Sequence, residues 1–303
     1  IFRNLAFCKK DILAFGPDAL VLIDYPGFNL RMARWARQQG LKVVYYISPQ
    51  VWAWKAGRVK SMKTCIDKML VILPFEKAYY RETWNWDVDY VGHPLVEEIE
   101  QFKMSAEAGS LSAEPVIALL PGSRKQEILK KLPVMLSVSR SFPGYRFIVA
   151  KAPGVEEHFY DGMLSGYANV SYVTGKTYAL LMQAKAALVT SGTATLETAL
   201  FAVPEVVCYK GSWLSYQIGK RLVKVRFISL VNLIMDRPVV KELIQDDLHT
   251  ANLEKELGKL LDDEVYRKTM MADFAALKQK LSVDTRASVK AASLITGLLR
   301  SAT

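Results

Sequence analysis

VIALLPGSRKQEILKKL, residues 116–132, and AALVTSGTATLETAL, residues 186–200, each place an apolar run before a glycine-containing turn and a helical pattern. A short, wholly apolar run predicts a strand covered on both faces, as in a parallel sheet. Similar runs, rich in Val, Ile and Tyr, alternate with helical or turn segments along the chain, at 18–23, 42–47, 68–73, 88–91, 145–150, 169–173 and 205–209. The sequence therefore predicts an α/β protein built from repeated βα units of the Rossmann type.

A length of 303 residues suits two α/β domains rather than one. The βα alternation fails at 99–115, where Ser, Ala, Glu and Gly accumulate, and this predicts an interdomain linker. We predict an N-terminal domain over 1–98, a second domain over 116–275 and a helical tail over 276–303. Two parallel sheets in tandem predict a cleft at the carboxyl ends of their strands, where ligands of such folds bind.

The formal net charge of +10 indicates attraction to nucleic acids, anionic membrane surfaces or phosphorylated small molecules. The cations are spread among apolar residues and no nucleic-acid-binding module is present, which argues against nucleic acid as the partner. No apolar run reaches the ~18–20 residues of a membrane-spanning helix. The three cysteines are far apart in the sequence, which is typical of neither a disulfide framework nor a zinc site and fits the cytoplasm.

The first candidate site follows the strand at 116–120. Gly122 permits close backbone approach, Ser123 is a natural N-cap, and Arg124 offers a guanidinium fork for phosphate oxygens. A helix amino terminus beside an arginine is a favourable anion site. An ordinary βα turn with a solvated arginine would show the same residues, and the spacing alone does not decide between the two interpretations.

The second candidate site follows the strand at 186–190. The small residues Ser191, Gly192 and Thr193 leave a helix amino terminus uncovered, and Glu197 is placed to accept hydrogen bonds from ribose hydroxyls. A simple helix cap that allows close packing on the sheet is the alternative. Two such openings in one domain favour a diphosphate ligand, although no GxGxxG or GxxxxGK[ST] motif is present.

Polar residues also follow strands in the first half of the chain. Asp24 ends the strand at 18–23 and is a candidate general base, with a turn or helix-capping aspartate as the alternative. His93 could face the cleft or form a structural hydrogen bond. Asp87 and Asp89 match a DxD pattern but precede a strand, so we interpret them as incidental. No clustering of His, Asp and Cys has metal-ligand spacing.

Aromatic and basic residues are interleaved in two stretches, SPQVWAWKAGRVKSMK at 48–63 and WLSYQIGKRLVKVRF at 213–227. In the first, Trp52 and Trp54 lie beside Lys55 and Arg58. Such mixtures suit membrane interfaces and lipid phosphates, but they also occur where long side chains cover the edge of a core.

Eight stretches together resemble the bacterial lipid-A-disaccharide synthases over residues 11–245: LIDYPGFN, YYISPQVWAWKAGRVK, ILPFEKAYY, YVGHPL, LLPGSRKQEI, TSGTATLE, FISLVNLI and KELIQ. The resemblance implies the GT-B architecture of two Rossmann-like domains. It also implies an inverting transfer of 2,3-diacylglucosamine from UDP to 2,3-diacylglucosamine 1-phosphate. The product would be a β-1,6-linked disaccharide 1-phosphate, formed with release of UDP and without a metal or other cofactor.

The resemblance also implies roles for individual residues. Asp24 would deprotonate the acceptor 6-hydroxyl. Gly122, Ser123 and Arg124 would meet the donor phosphates. The UDP-sugar pocket would be lined by the remaining implied residues, which are Ser191, Gly192, Thr193, Glu197, Asn232, Glu242 and Gln245, with His93 as a further substrate-binding residue. Lipid substrates imply a peripheral protein at the inner face of the cytoplasmic membrane of a Gram-negative bacterium.

The sequence departs from the family pattern in three places. The opening loop with Gly-Glu-x-Ser-Gly-Asp is not in this sequence, so we expect an incomplete N-terminal domain and a chain whose activity depends on that segment. Gly27 stands where a second aspartate is common, and Val231 stands where a proline is usual.

Other functions share part of this pattern. Other UDP-GlcNAc-using GT-B enzymes, such as the peptidoglycan transferase and the 2-epimerase, bind diphosphate at helix amino termini but lack the SPQVWAWK stretch. An inactive remnant that binds a UDP-sugar or lipid is a non-enzymatic alternative.

Overall fold

The protein folds as two compact units in a computed structural model that describes residues 2–105, 109–212 and 225–300. The first unit contains the described residues within Ile1–Glu97 and Lys280–Thr303. The second contains those within Glu98–Arg221 and Val225–Gln279. Each unit is built around one sheet, as the repeated βα pattern predicts.

The described strands form two sheets in which every pairing is parallel. The first sheet has the order β1-β2-β3-β4 and consists of β1 (Ala19–Ile23), β2 (Lys42–Tyr46), β3 (Lys68–Val71) and β4 (Asp89–Tyr90). The second has the order β10-β9-β8-β5-β6-β7 and consists of β5 (Val116–Leu120), β6 (Arg146–Lys151), β7 (Val170–Thr174), β8 (Ala184–Thr190), β9 (Glu205–Tyr209) and β10 (Lys241–Ile244). All the predicted strands are present. The sequence did not predict β10, because a four-residue edge strand with two charged residues has no apolar run.

Helices follow most of the strands and cover the sheets. Those of the first half are α1 (Phe2–Phe15), α2 (Pro26–Gln38), α3 (Arg58–Cys65), α4 (Pro74–Trp84) and α5 (Pro94–Ser105). Those of the second half are α6 (Lys125–Val138), α7 (Glu157–Leu164), α8 (Thr177–Gln183), α9 (Thr193–Leu200), α10 (Leu230–Met235), α11 (Thr250–Asp262), α12 (Glu264–Leu281) and α13 (Ala287–Arg300). Among the described residues, no helix has the length and apolar character needed to cross a membrane.

The central strand of the second sheet explains its layered architecture. All five side chains of β5 are buried, so helices must cover both faces of the sheet at this strand. By contrast, β1 is an edge strand, and its Val21 and Ile23 are exposed.

Two segments differ from the sequence-based boundaries. The segment 99–115, predicted as a linker, begins inside α5, where Phe102 packs edge-on against Tyr178 and Phe201. Of the tail predicted over 276–303, the described residues from Lys280 onward belong to the first unit. There Ala291 of α13 packs in one cluster with Val44 and Leu70. The acidic residues of α5 interrupt its apolar pattern, so the sequence did not predict a helix there. For α13, a helix of mixed polarity, the sequence alone does not show which sheet it covers.

Glu205 is an exception to the apolar interior of the second sheet. It starts β9 opposite Ala187 of β8 and is completely buried, and both carboxyl oxygens lack a hydrogen-bond partner among the described residues. Burial therefore raises the pKa of Glu205 well above its usual value. The carboxyl group folds in its protonated form.

Glu205→Met is expected to raise the free energy of unfolding by about 1–3 kcal/mol at pH 7, because it removes an unsatisfied buried polar group. The unfolded chain releases the Glu205 proton above about pH 4.5, whereas the folded chain retains it. Wild-type stability should thus fall as pH rises through this window, and the gain from the substitution should grow.

Urea unfolding measured between pH 5 and pH 8 checks this expectation. Glu114→Met, at an exposed position, is the matched control and should leave the wild-type pH dependence unchanged. A Glu205→Met curve that stays parallel to the wild-type curve over this range would show that the carboxyl group is not buried in its neutral form.

Candidate functional site

A cavity of about 320 Å³ lies at the carboxyl ends of β5, β6 and β8 in the second unit. Residues from both predicted helix openings line it, although they are about 70 positions apart in the sequence. The predicted site residues among its lining are Gly122, Ser123, Ser191, Gly192, Thr193 and Glu197. The parallel pairing of β5 with β8 brings the two openings together, because the turns that follow the two strands emerge at the same sheet edge.

The first opening depends on the backbone of Gly122. Its φ of +123° is a conformation that L side chains rarely adopt. A Cβ atom at this position would lie 2.9 Å from Glu127 Oε2, so a larger residue would also displace the Glu127 side chain. The prediction that Ser123 caps the helix is wrong: Arg124 is the N-cap of α6, and it makes no side-chain cap hydrogen bond.

Arg124 does not line the cavity in this structure. Its side chain is 81% exposed and forms an ion pair with Glu127 at 3.2 Å. Glu127 itself lines the cavity, so the guanidinium lies one side chain away from the space that a ligand would fill.

The second opening is the amino terminus of α9. Gly192 is its N-cap, with a φ of +137°, and the hydroxyl of Ser191 donates a 2.7 Å hydrogen bond to the carbonyl of Ile228. The first N–H groups of a helix lack acceptors within the helix. Those of Thr193 and Ala194 belong to residues that line the cavity. The helix dipole and these N–H groups favour an anion there.

Glu197 lies one turn into α9 at the wall of the cavity. Burial raises the pKa of its carboxyl group, the Tyr178 hydroxyl that hydrogen-bonds to it lowers the pKa, and the negative charge of Glu98 raises it. The Tyr178 hydroxyl lies 3.4 Å from the Glu197 carboxylate. This half-buried carboxyl group is suited to accept hydrogen bonds from ligand hydroxyls.

The sequence analysis did not single out Lys151, which ends β6 and lines the cavity. Its side chain is 8% exposed, and its ammonium group lies 3.2 Å from the exposed carboxylate of Glu157. The available signal was its position directly at the carboxyl end of a strand adjacent to β5. A lysine in that position, without a motif around it, gave no reason to choose it.

Asn232 and Glu242 lie together beside a different cavity, of about 280 Å³, in the same unit. The carboxamide of Asn232 accepts hydrogen bonds from the N–H groups of Val239 and Val240 and donates to Glu242. The Glu242 carboxylate also accepts from the N–H of Ser229. These contacts hold the chain around α10 in place.

Gln245 follows β10 with a φ of 54°. Its side-chain oxygen accepts a 2.6 Å hydrogen bond from the N–H of Gly211. Like Asn232 and Glu242, it does not line the cavity between the two helix openings. The three residues support the loops at the β9–β10 side of the sheet.

Asp24 lies in the first unit, directly after β1, in a left-handed conformation with a φ of 47°. Its carbonyl accepts hydrogen bonds from the Tyr45 hydroxyl at 2.6 Å and from the Asn29 amide at 2.8 Å. Its side chain is exposed, and no hydrogen bond to the carboxylate is present in the described part of the chain. The N-cap of α2 is Tyr25, so of the two alternatives for Asp24 the helix cap is wrong. Two hydrogen bonds thus hold the backbone of Asp24, and its carboxylate faces solvent without a partner among the described residues.

The Tyr45 hydroxyl stays a hydrogen-bond donor at physiological pH. Burial raises its pKa, and the negative charge of Asp24 raises it further. The contact that fixes the backbone of Asp24 is therefore insensitive to pH in this range.

His93 is buried in the first unit, where its Nδ1 accepts a 3.3 Å hydrogen bond from the N–H of Leu95. Burial lowers the pKa of its imidazole to about 4. The ring is therefore neutral near pH 7 and is held by the backbone of its own turn.

The remaining motifs have ordinary contacts. Asp89 forms an ion pair with Lys68 at 2.8 Å, and the residues described show no cluster of three potential metal ligands. Trp54 is exposed, with the cations of Lys55 and Arg58 over its ring. In the second basic-aromatic stretch, residues 213–224 lie outside the described residues.

Comparisons with known proteins identify relatives of the whole chain. The family model described as lipid-A-disaccharide synthetase matches residues 3–295 of the chain. The lipid-A-disaccharide synthase of Geobacter sulfurreducens is 40% identical over 290 residues, which cover 93% of this chain and 75% of that protein. Lipid-A-disaccharide synthase 1 of Legionella pneumophila is 39% identical over 298 residues, covering 93% and 76%.

Solved structures share the fold at much lower identity. The UDP-GlcNAc 2-epimerase of Neisseria meningitidis bound to UDP-GlcNAc has a TM-score of 0.67 at 13% identity and covers 96% of this chain and 80% of its own. The calicheamicin glycosyltransferase CalG4 has a TM-score of 0.61 at 14% identity, covering 99% and 80%. Likenesses at this identity concern the fold alone, which is the GT-B type.

Gly122→Ala is expected to weaken UDP binding by about tenfold or more, corresponding to ~1.4 kcal/mol or more. The added methyl group meets Glu127 and disfavours the backbone conformation that opens the cavity. Isothermal titration calorimetry with UDP measures the effect.

Gly166→Ala is the matched control. Gly166 also has a positive φ, of +90°, but no atom lies within 4 Å of the added Cβ, and the residue is not part of the cavity lining. The control should lose stability without losing affinity. Equal UDP affinity in the two variants would contradict a role for the Gly122 turn in binding.

Proposed function

The chain belongs to the lipid-A-disaccharide synthetase family, a family of glycosyltransferases, and we propose that it joins two acylated glucosamines with UDP as the leaving group. The donor is UDP-2,3-diacylglucosamine and the acceptor is 2,3-diacylglucosamine 1-phosphate. The product is the β-1,6-linked disaccharide 1-phosphate. The observation that carries the proposal is one cavity of the second unit that is lined by both the glycine turn before α6 and the amino terminus of α9.

Charge develops on the leaving diphosphate as the bond from C1 of the donor sugar to the phosphate oxygen breaks. The N–H groups at Thr193 and Ala194 and the glycine turn at Gly122 are fixed before the reaction, so they stabilise this charge without reorganising. Arg124 needs only to exchange its exposed Glu127 partner for a phosphate oxygen. Glu197 accepts hydrogen bonds from hydroxyls of the donor.

Asp24 is the general base for the acceptor. Its carboxylate takes the proton of the 6-hydroxyl while that oxygen forms the new bond to C1, and the electron pair of the broken bond leaves with UDP. Attack on the face opposite the leaving group inverts the configuration at C1. The unpaired carboxylate and the fixed backbone of Asp24 support this role.

Asn232, Glu242 and Gln245 act on the nucleotide side through the loops that they hold. Their side chains make hydrogen bonds to backbone groups around α10 and after β9. We assign them to shaping the donor pocket. We keep His93 as a substrate-binding residue, and its Nδ1 accepts a hydrogen bond from the N–H of Leu95.

A product assay separates this proposal from its alternatives. Incubation with both acylated substrates should give UDP and a disaccharide monophosphate, resolved by mass spectrometry. Epimerised or free sugar would favour the 2-epimerase type, and UDP binding without turnover would favour a non-catalytic binding protein.

Asp24→Asn is expected to lower kcat for disaccharide formation by about 10²–10⁴-fold, the usual contribution of a general base. The UDP dissociation constant should stay within about twofold of the wild-type value, because Asp24 belongs to the unit that lacks the donor cavity. Steady-state kinetics and UDP titration measure the two quantities.

Asp18→Asn is the matched control, because Asp18 is an exposed aspartate at the opposite end of β1. It should retain wild-type turnover. Wild-type turnover in Asp24→Asn would remove Asp24 from the mechanism.

We further propose that the chain works at the inner face of the cytoplasmic membrane, where its acylated substrates reside. The net charge of +10 and the exposed side chain of Trp54 support this location. The cations of Lys55 and Arg58 stack on Trp54, which combines an apolar ring with charges that attract lipid phosphates.

Replacing Lys55 and Arg58 together by Gln is expected to weaken binding to phosphatidylglycerol-containing vesicles by about thirtyfold, since each cation near an anionic surface contributes ~1 kcal/mol. Vesicle sedimentation measures the change. The Lys255→Gln, Lys268→Gln double variant removes two exposed cations of the second unit as a control. Equal loss in both double variants would show that only net charge matters.

A further inference from the structure

Helix α6 places a lysine on its buried face. Ile128, Leu132 and Met135 form this face, and Lys131 lies among them with 3% of its surface exposed. A buried ammonium group pays a desolvation penalty that a leucine or methionine would avoid. Its presence therefore calls for a negatively charged partner or ligand close by.

The ammonium group lies directly behind the wall of the 320 Å³ cavity. It donates a short hydrogen bond to the hydroxyl of Thr190, and its Nζ lies 3.4 Å from the position that a Cβ of Gly122 would take. Thr190 and Gly122 both line the cavity. An ammonium group has three N–H donors, and no second acceptor for Lys131 lies within hydrogen-bond distance in the described part of the chain.

If the ligand is an anion, the side chains that line the cavity do not supply enough positive charge to balance it. The lining contains the carboxylates of Glu127 and Glu197 and a single cationic side chain, Lys151. Arg124 lies outside the lining and is paired with Glu127. A diphosphate in this cavity would meet more negative than positive side-chain charge. Lys131 adds a positive charge behind the wall formed by Thr190 and Gly122.

Lys151 supplies the second cation from another element. It ends β6, and its ammonium group is directed by a 3.2 Å contact with Glu157, whose own side chain is 61% exposed. A solvated carboxylate is a weak partner, so a phosphate oxygen can replace it at little cost.

Without a ligand, the surroundings of Lys131 disfavour its charged form. Burial lowers the pKa of its ammonium group, and the negative charge of Glu127 acts in the opposite direction. The positive charge of Lys130 disfavours the charged form. A bound diphosphate would add a further anion that favours the charged lysine.

We infer that Lys131 and Lys151 form a cationic floor of the donor cavity that selects a diphosphate over an uncharged nucleoside. The inference rests on the proposed use of UDP-linked sugars. Lys151 contacts the phosphate oxygens. Lys131 is a positioning residue: it acts through Thr190 and the Gly122 turn, and its charge stabilises the anion across that thin wall.

The test compares UDP with uridine as titrants in isothermal titration calorimetry. Lys131→Met and Lys151→Met each remove a charge while keeping a side chain of similar length, so the buried stem is still filled. Each variant should bind UDP about tenfold or more weakly and bind uridine within about twofold of the wild-type affinity. A loss restricted to UDP reports charge, because a packing defect would affect both ligands.

Lys130→Met and Lys185→Met are the matched controls, since both lysines are exposed, one beside Lys131 and one at the amino end of β8. They should bind both ligands as the wild type does. Wild-type UDP affinity in Lys131→Met and Lys151→Met would overturn the inference, and so would an equal loss for UDP and uridine. Failure of the wild type itself to bind UDP would instead contradict the proposed function.

Discussion

The parallel pairing of β5 with β8 is the constraint on which the site depends. Leu120 lies beside Val189 in the register, so the turn after each strand emerges at the same edge of the sheet. Each turn then opens a helix, α6 or α9, whose first N–H groups have no acceptor within the helix. Sheet geometry thus brings the turn before α6 and the amino terminus of α9 to one cavity before any side chain contributes. The charged side chains around this cavity add to the attraction for an anion that the backbone N–H groups already provide.

Glycines allow the backbone conformation of the two turns, and buried polar side chains support the site in different ways. Gly122 and Gly192 both have φ values that L side chains rarely adopt, and Gly122 also leaves room for Glu127. Buried polar groups elsewhere in the unit differ in what they contribute. Asn232 is fully hydrogen-bonded and fixes a loop, whereas Glu205 has no partner and lowers stability. Lys131 is intermediate, with one protein partner and a position behind the cavity wall.

Much of the fold could be predicted from the sequence, because its strands are apolar runs and its helices carry the 3.6-residue period. The grouping of Gly122 with Ser191–Thr193 could also be predicted, because both segments follow strands of one parallel sheet. The helix cap at Ser123 was wrong because residue preference does not determine at which residue a helix begins. Lys131 and Lys151 were missed because their importance depends on burial and on neighbours distant in sequence. A lysine among apolar residues at helical spacing in α6 was nevertheless a sign, readable from the sequence, that Lys131 has a special environment.

A crystal structure of the chain with UDP bound tests the central claim most directly. The account predicts that the pyrophosphate lies in the cavity of the second unit, within hydrogen-bond distance of the backbone N–H groups at Thr193 and against the turn at Gly122. A nucleotide bound in the first unit, or in the second unit away from these two helix openings, would contradict the account.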